Sequence, residues 1–383
     1  PWSTVLVLAS GYPASHTRTF EKVALPFAAA GYKVHYCGSV LPRDEDLIRE
    51  SGITVHELPH RHGPRRIVSI PSQVKIARRI RPDMIWCAGH ESWVSSRLAR
   101  RTSVRIMDVV EDYRGSAEFR LGSGPIGKAV GAVVDRLELV LGRRLDVVVV
   151  TRSAWMERFP GKAVYYPNPY PAHGRRSAPS PRRGQQLRLV HSGLFGAVRG
   201  SLVLARALEV AVEEMGIPSS QLALSIVGSF VDDSEAELLE RAKSLGIDIQ
   251  SHKWLDRDEA FDIVANSDVG LVLFQPISEG YRDSAPNKIF DYAAAGLAVI
   301  APSTGVDIPQ MVDRWTSGVL VDSLDPRELA SAIALLASRE DLRQEMAANA
   351  YKSIDEEFST SKMFPAVLAR VRQILGEARG LPS

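Results

Sequence analysis

Cysteine is scarce in this chain, with two residues among 383. Cys37 and Cys87 each close an apolar, strand-like run, so buried free thiols are expected rather than a bridge. No Cys/His cluster has the spacing of a metal site, and no metal is expected. No window approaches about 18 uncharged apolar residues, which removes a membrane-spanning helix from the expectation. Pro1-Trp2-Ser3 leads straight into a strand without the basic and apolar regions of a secretory signal, so the expected compartment is the cytoplasm. An excess of one charge is lacking too. The 47 basic and 45 acidic residues leave a net charge of +2, too balanced for nucleic acid to be the main partner.

What is present is the composition of a soluble globular protein, 45% apolar and 24% charged, long enough for two domains. The basic residues are uneven. Arg61, Arg65, Arg66, Arg78, Arg79, Arg81, Arg97, Arg100, Arg101 and Arg105 crowd one part of the first half. Solvated helix faces explain most such runs; the sharper reading is peripheral contact with an anionic membrane surface or acceptor.

Strands and helices alternate throughout. Thr4–Ala9 is an apolar strand followed by a Gly/Pro loop. Arg18 to Ala30 reads as a helix closed by Gly31, the residue that best adopts a left-handed cap. Further strands are expected at Tyr32–Cys37, Thr54–Leu58, Asp83–Cys87, Val104–Val110 and Asp146–Val150. From Asn168 to Gln186 the apolar period vanishes and Pro, Gly, Ser and Arg dominate, which reads as a linker. A second set follows at Leu187–His191, Ala223–Val227, Ile249–His252, Val269–Phe274, Ala298–Ala301 and Gly318–Val321. Apolar strands separated by helices argue for parallel sheets covered on both faces. The expected fold class is therefore α/β, with two doubly wound, Rossmann-like domains and a cleft between them. The boundaries are 1–168, a linker at 169–186, a second domain at 187–355, and helices at 356–383 that cross back to the first domain.

The most informative stretch runs from Ala285 to Gly305. A proline at the first helical position precedes Lys288, and Asp291 lies about one turn further in. A helix start with a lysine and no early bulk is suited to an anion. A carboxylate one turn on can accept hydrogen bonds from a diol. Phosphate with sugar hydroxyls describes a nucleotide-sugar.

The string Pro286-Asn287-Lys288…Asp291-Tyr292…Gly296…Val299-Ile300 resembles the PNKLFEYMAAGLPVI segment of family 4 glycosyltransferases, which are of GT-B fold. The resemblance covers nearly the whole chain. His16-Thr17-Arg18 followed by Ala24, Leu25, Gly31 and Val34 is similar to the family's first loop and helix. Met107 to Tyr113 resembles a YDVHEDYP segment, Tyr166 to Pro169 the close of the first domain, and Gly193 with Arg199-Gly200 a G…RG pair. Asp268 to Leu271 resembles a family strand.

The resemblance implies a retaining, metal-independent transferase that uses a nucleoside-diphosphate sugar, a UDP-sugar by preference, as co-substrate without a further cofactor. It implies an acceptor that is a saccharide, a lipid-linked saccharide or a natural product. Asp283 and Asp291 stand at the family's E-x7-E pair, with Asp291 toward the ribose and Asp283 toward the donor sugar. Arg199 and Lys288 would hold the pyrophosphate, where their charge and the helix dipole replace a metal. Gly11, Gly193, Ser284, Ala285, Pro286 and Asn287 complete the expected donor site. Asp283, Glu111 and Asp112 would be the catalytic carboxylates, the last two on the acceptor side; His16 and Arg18 would face the cleft, and His252 and Trp254 would lie near the base. Where relatives carry a histidine before that Glu, this chain has Val110. A non-catalytic partner of an active transferase is therefore a second reading, and a nucleotide-sugar epimerase or phosphorylase a third.

Overall fold

The computed structural model describes residues 3–61, 63–99, 103–120, 124–179, 186–277, 279–283 and 285–379. The chain divides into two units, 1–171 with 360–383, and 172–359.

The first unit is built on strands β1 (Thr4–Pro13), β2 (Lys33–Ser39), β3 (Thr54–Glu57), β4 (Met84–Cys87), β5 (Val104–Val109), β6 (Val147–Val150) and β7 (Ala163–Tyr165). All pairings are parallel, in the order β3-β2-β1-β4-β5-β6-β7. β1 shows why its residues are apolar without alternation. Val5 and Val7 join one buried cluster with Phe20, Phe27, Trp86 and Tyr166. Leu6 and Leu8 join the other, with Cys87, Trp93, Met107 and Phe159. Both faces of the sheet are covered, so both parities must be hydrophobic. Cys37 and Cys87 are buried free thiols whose pKa burial pushes up to about 12.

Helices α1 (Tyr113–Arg120) and α2 (Pro125–Arg143) follow β5. The second unit carries β8 (Leu187–Ser192), β9 (Leu222–Val227), β10 (Asp248–His252), β11 (Val269–Leu271), β12 (Ala298–Pro302) and β13 (Gly318–Val321). Its order is β10-β9-β8-β11-β12-β13, again parallel throughout. Helix α3 (Asn287–Ala294) leads into β12. In both sheets the order reverses at the first strand, between β1 and β4 and between β8 and β11. Ligand sites of such sheets gather at the carboxyl ends of the strands beside that reversal.

The final helix α4 (Thr360–Arg379) belongs to the first unit. Phe364 packs edge-on against Phe27, with ring centroids 4.8 Å apart, and against Tyr166 at 5.6 Å. Val367 and Val371 are buried in the same cluster. The last turns of the chain thus close the core that its first strand opens.

The stretch read as a linker is held along part of its length. Arg175 bonds the Asp262 carboxylate at 2.6 Å and the Asp258 carbonyl at 3.1 Å. Arg176 pairs with Asp355 and bonds the Tyr351 carbonyl at 2.7 Å. Ser177 donates its N–H to the Ala294 carbonyl at 3.1 Å. Residues 172–179 are therefore part of the second unit. Their order comes from partners distant in sequence, which no local period reveals.

Truncating Phe364 to Ala should cost the first unit about 3–5 kcal/mol, because a buried aromatic leaves a cavity. Urea denaturation followed by hydrogen exchange should show amides of β1 and β4 opening at lower denaturant, with those of β8 and β11 unchanged.

Candidate functional site

The second unit gathers its polar groups at the carboxyl edge beside the β8/β11 reversal. His191, near the end of β8, is fully buried, and its Nε2 lies 2.8 Å from Lys288 Nζ in the first turn of α3. Lys288 is itself only 8% exposed. Burial pulls its pKa well below the ordinary lysine range, and the nearby Arg199 guanidinium adds to this while Asp291 opposes it. Burial, then the Lys288 charge, likewise hold His191 well below the usual imidazole range. A neutral imidazole can accept from the ammonium. His191 stacks on Phe195, with centroids 3.6 Å apart, and its Nδ1 has no hydrogen-bond partner among the described residues.

Arg199 stands at the end of the loop after β8, half-buried. The loop needs glycine where it turns into the next helix. Gly200 has φ +89°, and a Cβ there would sit 2.5 Å from that of Leu273. An aromatic pair lies between the two cations. Lys288 Nζ is 5.8 Å from the Phe274 ring centroid and Arg199 Cζ 5.8 Å from that of Tyr281. The two rings meet edge to face at 5.8 Å. Two positive groups within reach of each other, one of them buried, form a place where an anion relieves both repulsion and desolvation.

Tyr292 bolts this edge together. Its hydroxyl accepts the Ser192 N–H at 2.8 Å and reaches the Leu271 carbonyl at 3.4 Å, joining the ends of β8 and β11. Gly270 makes this possible, since a Cβ there would fall 2.2 Å from the Tyr292 ring. Asp291, beside it in α3, is half-buried.

The other expected donor residues fall into place unevenly. Ala285 is buried, Pro286 caps α3 in extended conformation, and Asn287 is exposed at its start. Ser284 lies outside the described residues. Gly193 has φ +94° with open space on its Cβ side. Asp283 is engaged by its neighbour. Arg282 Nε donates to Oδ1 at 3.1 Å and Nη2 to Oδ2 at 3.0 Å. His252 ends β10, and its carbonyl accepts the Gly228 N–H at 2.8 Å. Trp254, just beyond, is 72% exposed. A separate cavity of about 220 Å3, lined by Pro179, Asp268, Gly296 and Arg343, opens beside the amino end of β11. It lies away from this edge.

In the first unit three expectations change. Arg18 does not present a free guanidinium. It is buried and bidentate to Asp108, at 2.8 Å and 3.2 Å, and it donates to the carbonyls of Tyr166, at 3.1 Å, and Pro167. Trp86 Nε1 also donates to Asp108, at 3.2 Å. Removing a partner from so buried a pair leaves an uncompensated charge, so Arg18 holds the fold. The space above Gly11 is filled rather than open. A Cβ there would lie 2.0 Å from Arg66 Nε, and the Arg66 guanidinium stacks on Tyr12 at 4.6 Å. Asp112 accepts the Gly115 N–H at 2.8 Å and so caps the start of α1. Glu111 stays exposed. His16 caps the helical segment Thr17–Ala24 by accepting the Thr19 N–H at 3.3 Å, and it stacks on Tyr12 at 4.2 Å. Burial first, then Lys22, Arg18 and Arg66, lower its pKa to about 4.

Sequence reasoning missed His191, Phe274 and Tyr281 as site residues, and it quoted Tyr292 only in the family string and Arg66 only in the basic run, without their roles. Only His191 carried a local signal, as a polar residue closing an apolar strand.

A family model for "Glycosyl transferase 4-like" matches residues 5–117, and one for "Glycosyl transferases group 1" matches 186–339. Together they take in more than half of the chain. The chain belongs to the family 4-like GT-B glycosyltransferases. No curated protein matches it. Among solved structures it is similar to HepE of Anabaena in complex with UDP, at TM-score 0.70 and 15% identity, covering 99% of this chain and 100% of that one. It is similar to the sucrose-phosphate synthase of Thermosynechococcus elongatus, at TM-score 0.71 and 15% identity, with 98% and 100% covered. WaaG, a glycosyltransferase involved in lipopolysaccharide biosynthesis, follows at TM-score 0.61 and 15% identity, with 96% and 98% covered. At these identities the likeness is one of fold. In this glycosyltransferase no helix among the described residues is long and apolar enough to cross a membrane.

An anion binds best while Lys288 is protonated. The Lys288 contribution to pyrophosphate affinity should therefore fall as pH rises through its lowered pKa, with proton uptake on binding above that pKa. Calorimetry in buffers of different ionisation enthalpy should show that uptake, and Lys288→Met, which keeps the apolar stem, should remove it, leaving only the pH slope of the pyrophosphate's own ionisation.

Proposed function

We propose that this glycosyltransferase retains anomeric configuration and moves a hexosyl or related sugar from a nucleoside-diphosphate sugar, a UDP-sugar by preference, to a hydroxyl of a saccharide, lipid-linked or natural-product acceptor. The observation that carries the reading is the Lys288–His191 contact with Arg199 nearby. Two cations at the mouth of a parallel sheet suit the two negative charges that develop on a departing diphosphate. The dipole of α3 points the same way. These charges do the work for which other transferases use a metal, so the reading needs none. HepE, similar in fold, has been described with UDP, with UDP and glucose, and with UDP-glucose. This supports a uridine donor here.

Asp291, one turn into α3, would accept hydrogen bonds from the ribose diol. Asp283 would reach the donor sugar once its bidentate bond to Arg282 opens. On the acceptor side Glu111 keeps an exposed carboxylate and takes the role expected of Glu111 and Asp112 together, since Asp112 caps a helix. The first unit would hold the acceptor and make peripheral contact with a membrane.

A second reading, a non-catalytic partner that binds donor without turnover, draws on specific features. Val110 stands where relatives carry histidine, and two of the three proposed catalytic carboxylates are already engaged.

A panel of nucleotide-sugars scored by thermal shift should show stabilisation by one UDP-sugar, by an amount set by its affinity. Asp291→Ala should weaken that donor about 10- to 100-fold, the cost of losing hydrogen bonds to a charged acceptor. An unchanged response in the variant would remove Asp291 from the site. Donor binding with no release of UDP across a broad acceptor panel would favour the non-catalytic reading.

A further inference from the structure

Helix α2 wears its apolar side outward. Ile126, Val130, Val133 and Leu137 are 75%, 38%, 58% and 55% exposed. Their spacings of four, three and four residues place them in one stripe about 60° wide on an α-helix. The face turned inward is small and polar instead. Its fully buried residues are Gly127, Gly131, Glu138 and Gly142, and Leu139 and Leu141 pack partly buried against the core. A Cβ on Gly131 would lie 2.8 Å from the Glu118 side chain of α1, and one on Gly142 would lie 2.4 Å from the Phe159 ring. The glycines let α2 lie close on its neighbours, and Ile126, Val130, Val133 and Leu137 are left facing outside the unit. Such a stripe is unusual on a protein that meets only water.

The charges decide what that something is. Asp135 and Glu138 are the acids of α2, and both turn to Arg158, at 2.5 Å and 2.9 Å. Lys128, Arg136, Arg143 and the following Arg144 are exposed. Every exposed charge of the helix is therefore positive, among the described residues. Arg136 and Arg143 fall beside the apolar stripe in helical projection. Part of the earlier arginine run is engaged within the unit. Arg105 is buried, Arg66 lies on Tyr12, and Arg78 and Arg79 bond the Leu98 carbonyl and His56.

We propose that α2 is an interfacial helix that docks the first unit on an anionic lipid surface, with Ile126, Val130, Val133 and Leu137 entering the headgroup–acyl boundary and Arg136 and Arg143 on lipid phosphates. This deepens the membrane part of the proposed function and is independent of its donor part. It puts lipid-linked acceptors ahead of soluble ones, since a docked first unit meets a substrate confined to the same plane.

Flotation of the full chain with phosphatidylcholine vesicles, with and without phosphatidylglycerol, tests this. The chain should float with the anionic vesicles alone. Val133→Ser with Leu137→Ser should lower the apparent affinity about tenfold or more, as expected for two apolar side chains withheld from the lipid. Arg136→Gln should lower it about fivefold, and high salt should weaken the wild type. Met215→Ser, an exposed apolar residue of the second unit, should change nothing. Thermal melting and the response to nucleotide-sugars should be the same in all variants, which keeps failure here distinct from failure of the donor reading. Wild-type chain that stays with the soluble fraction, or a serine pair that floats like wild type, overturns the proposal. A lipid-independent dimer in sedimentation that the serine pair dissociates overturns it in favour of a second copy on the same stripe.

Discussion

The second unit is organised around one awkward contact, an ammonium at Lys288 buried against the imidazole of His191. Burying a cation costs free energy, and a neighbouring guanidinium at Arg199 raises the cost. Proteins keep such an arrangement where an opposite charge arrives to relieve it. Much of the surrounding geometry serves to hold it. Tyr292 ties together the strand ends that flank it, Gly270 makes room for that tyrosine, and Gly200 lets the loop turn where Arg199 must stand. The family assignment supports a nucleoside diphosphate as the proposed anion.

The first unit is built on a different buried charge. Arg18 and Asp108 satisfy one another, and carbonyls at the end of the unit's core complete the guanidinium's bonds. This pair is closed, whereas the Lys288 cluster is open. That contrast separates a cation that supports the fold from one we propose for the donor phosphates. In sequence both read as site residues, Lys288 on the pyrophosphate and Arg18 facing the cleft.

How much could be read beforehand follows from where the information lies. Strand positions and the two-domain plan, though not the strand order, come from local period, and apolar runs such as Val5–Leu8 and Val147–Val150 carry it plainly. The donor helix was legible because Pro286, Lys288 and Asp291 sit within two turns. Contacts made across the fold were not. His191 lies 97 residues from Lys288, and Arg18 lies 90 from Asp108. Gly11 looked like a phosphate cradle because glycine marks any close approach; here the approaching group is Arg66. The order of residues 172–179 was hidden for the same reason, as its arginines find partners up to 179 positions away. The outward stripe of α2 reads, in sequence, like any buried amphipathic face. Only the packing of its glycines shows which side is in.

The central claim is that a nucleoside diphosphate settles at the carboxyl edge of β8 and the start of α3. Hydrogen–deuterium exchange of the full chain, with and without saturating UDP, tests it most directly. Slower exchange should be confined to the amides of residues 193–200 and of 285–294, and Lys288→Met should erase the difference. Protection at the amino edge around Asp268 and Gly296, or in the first unit alone, would contradict the account.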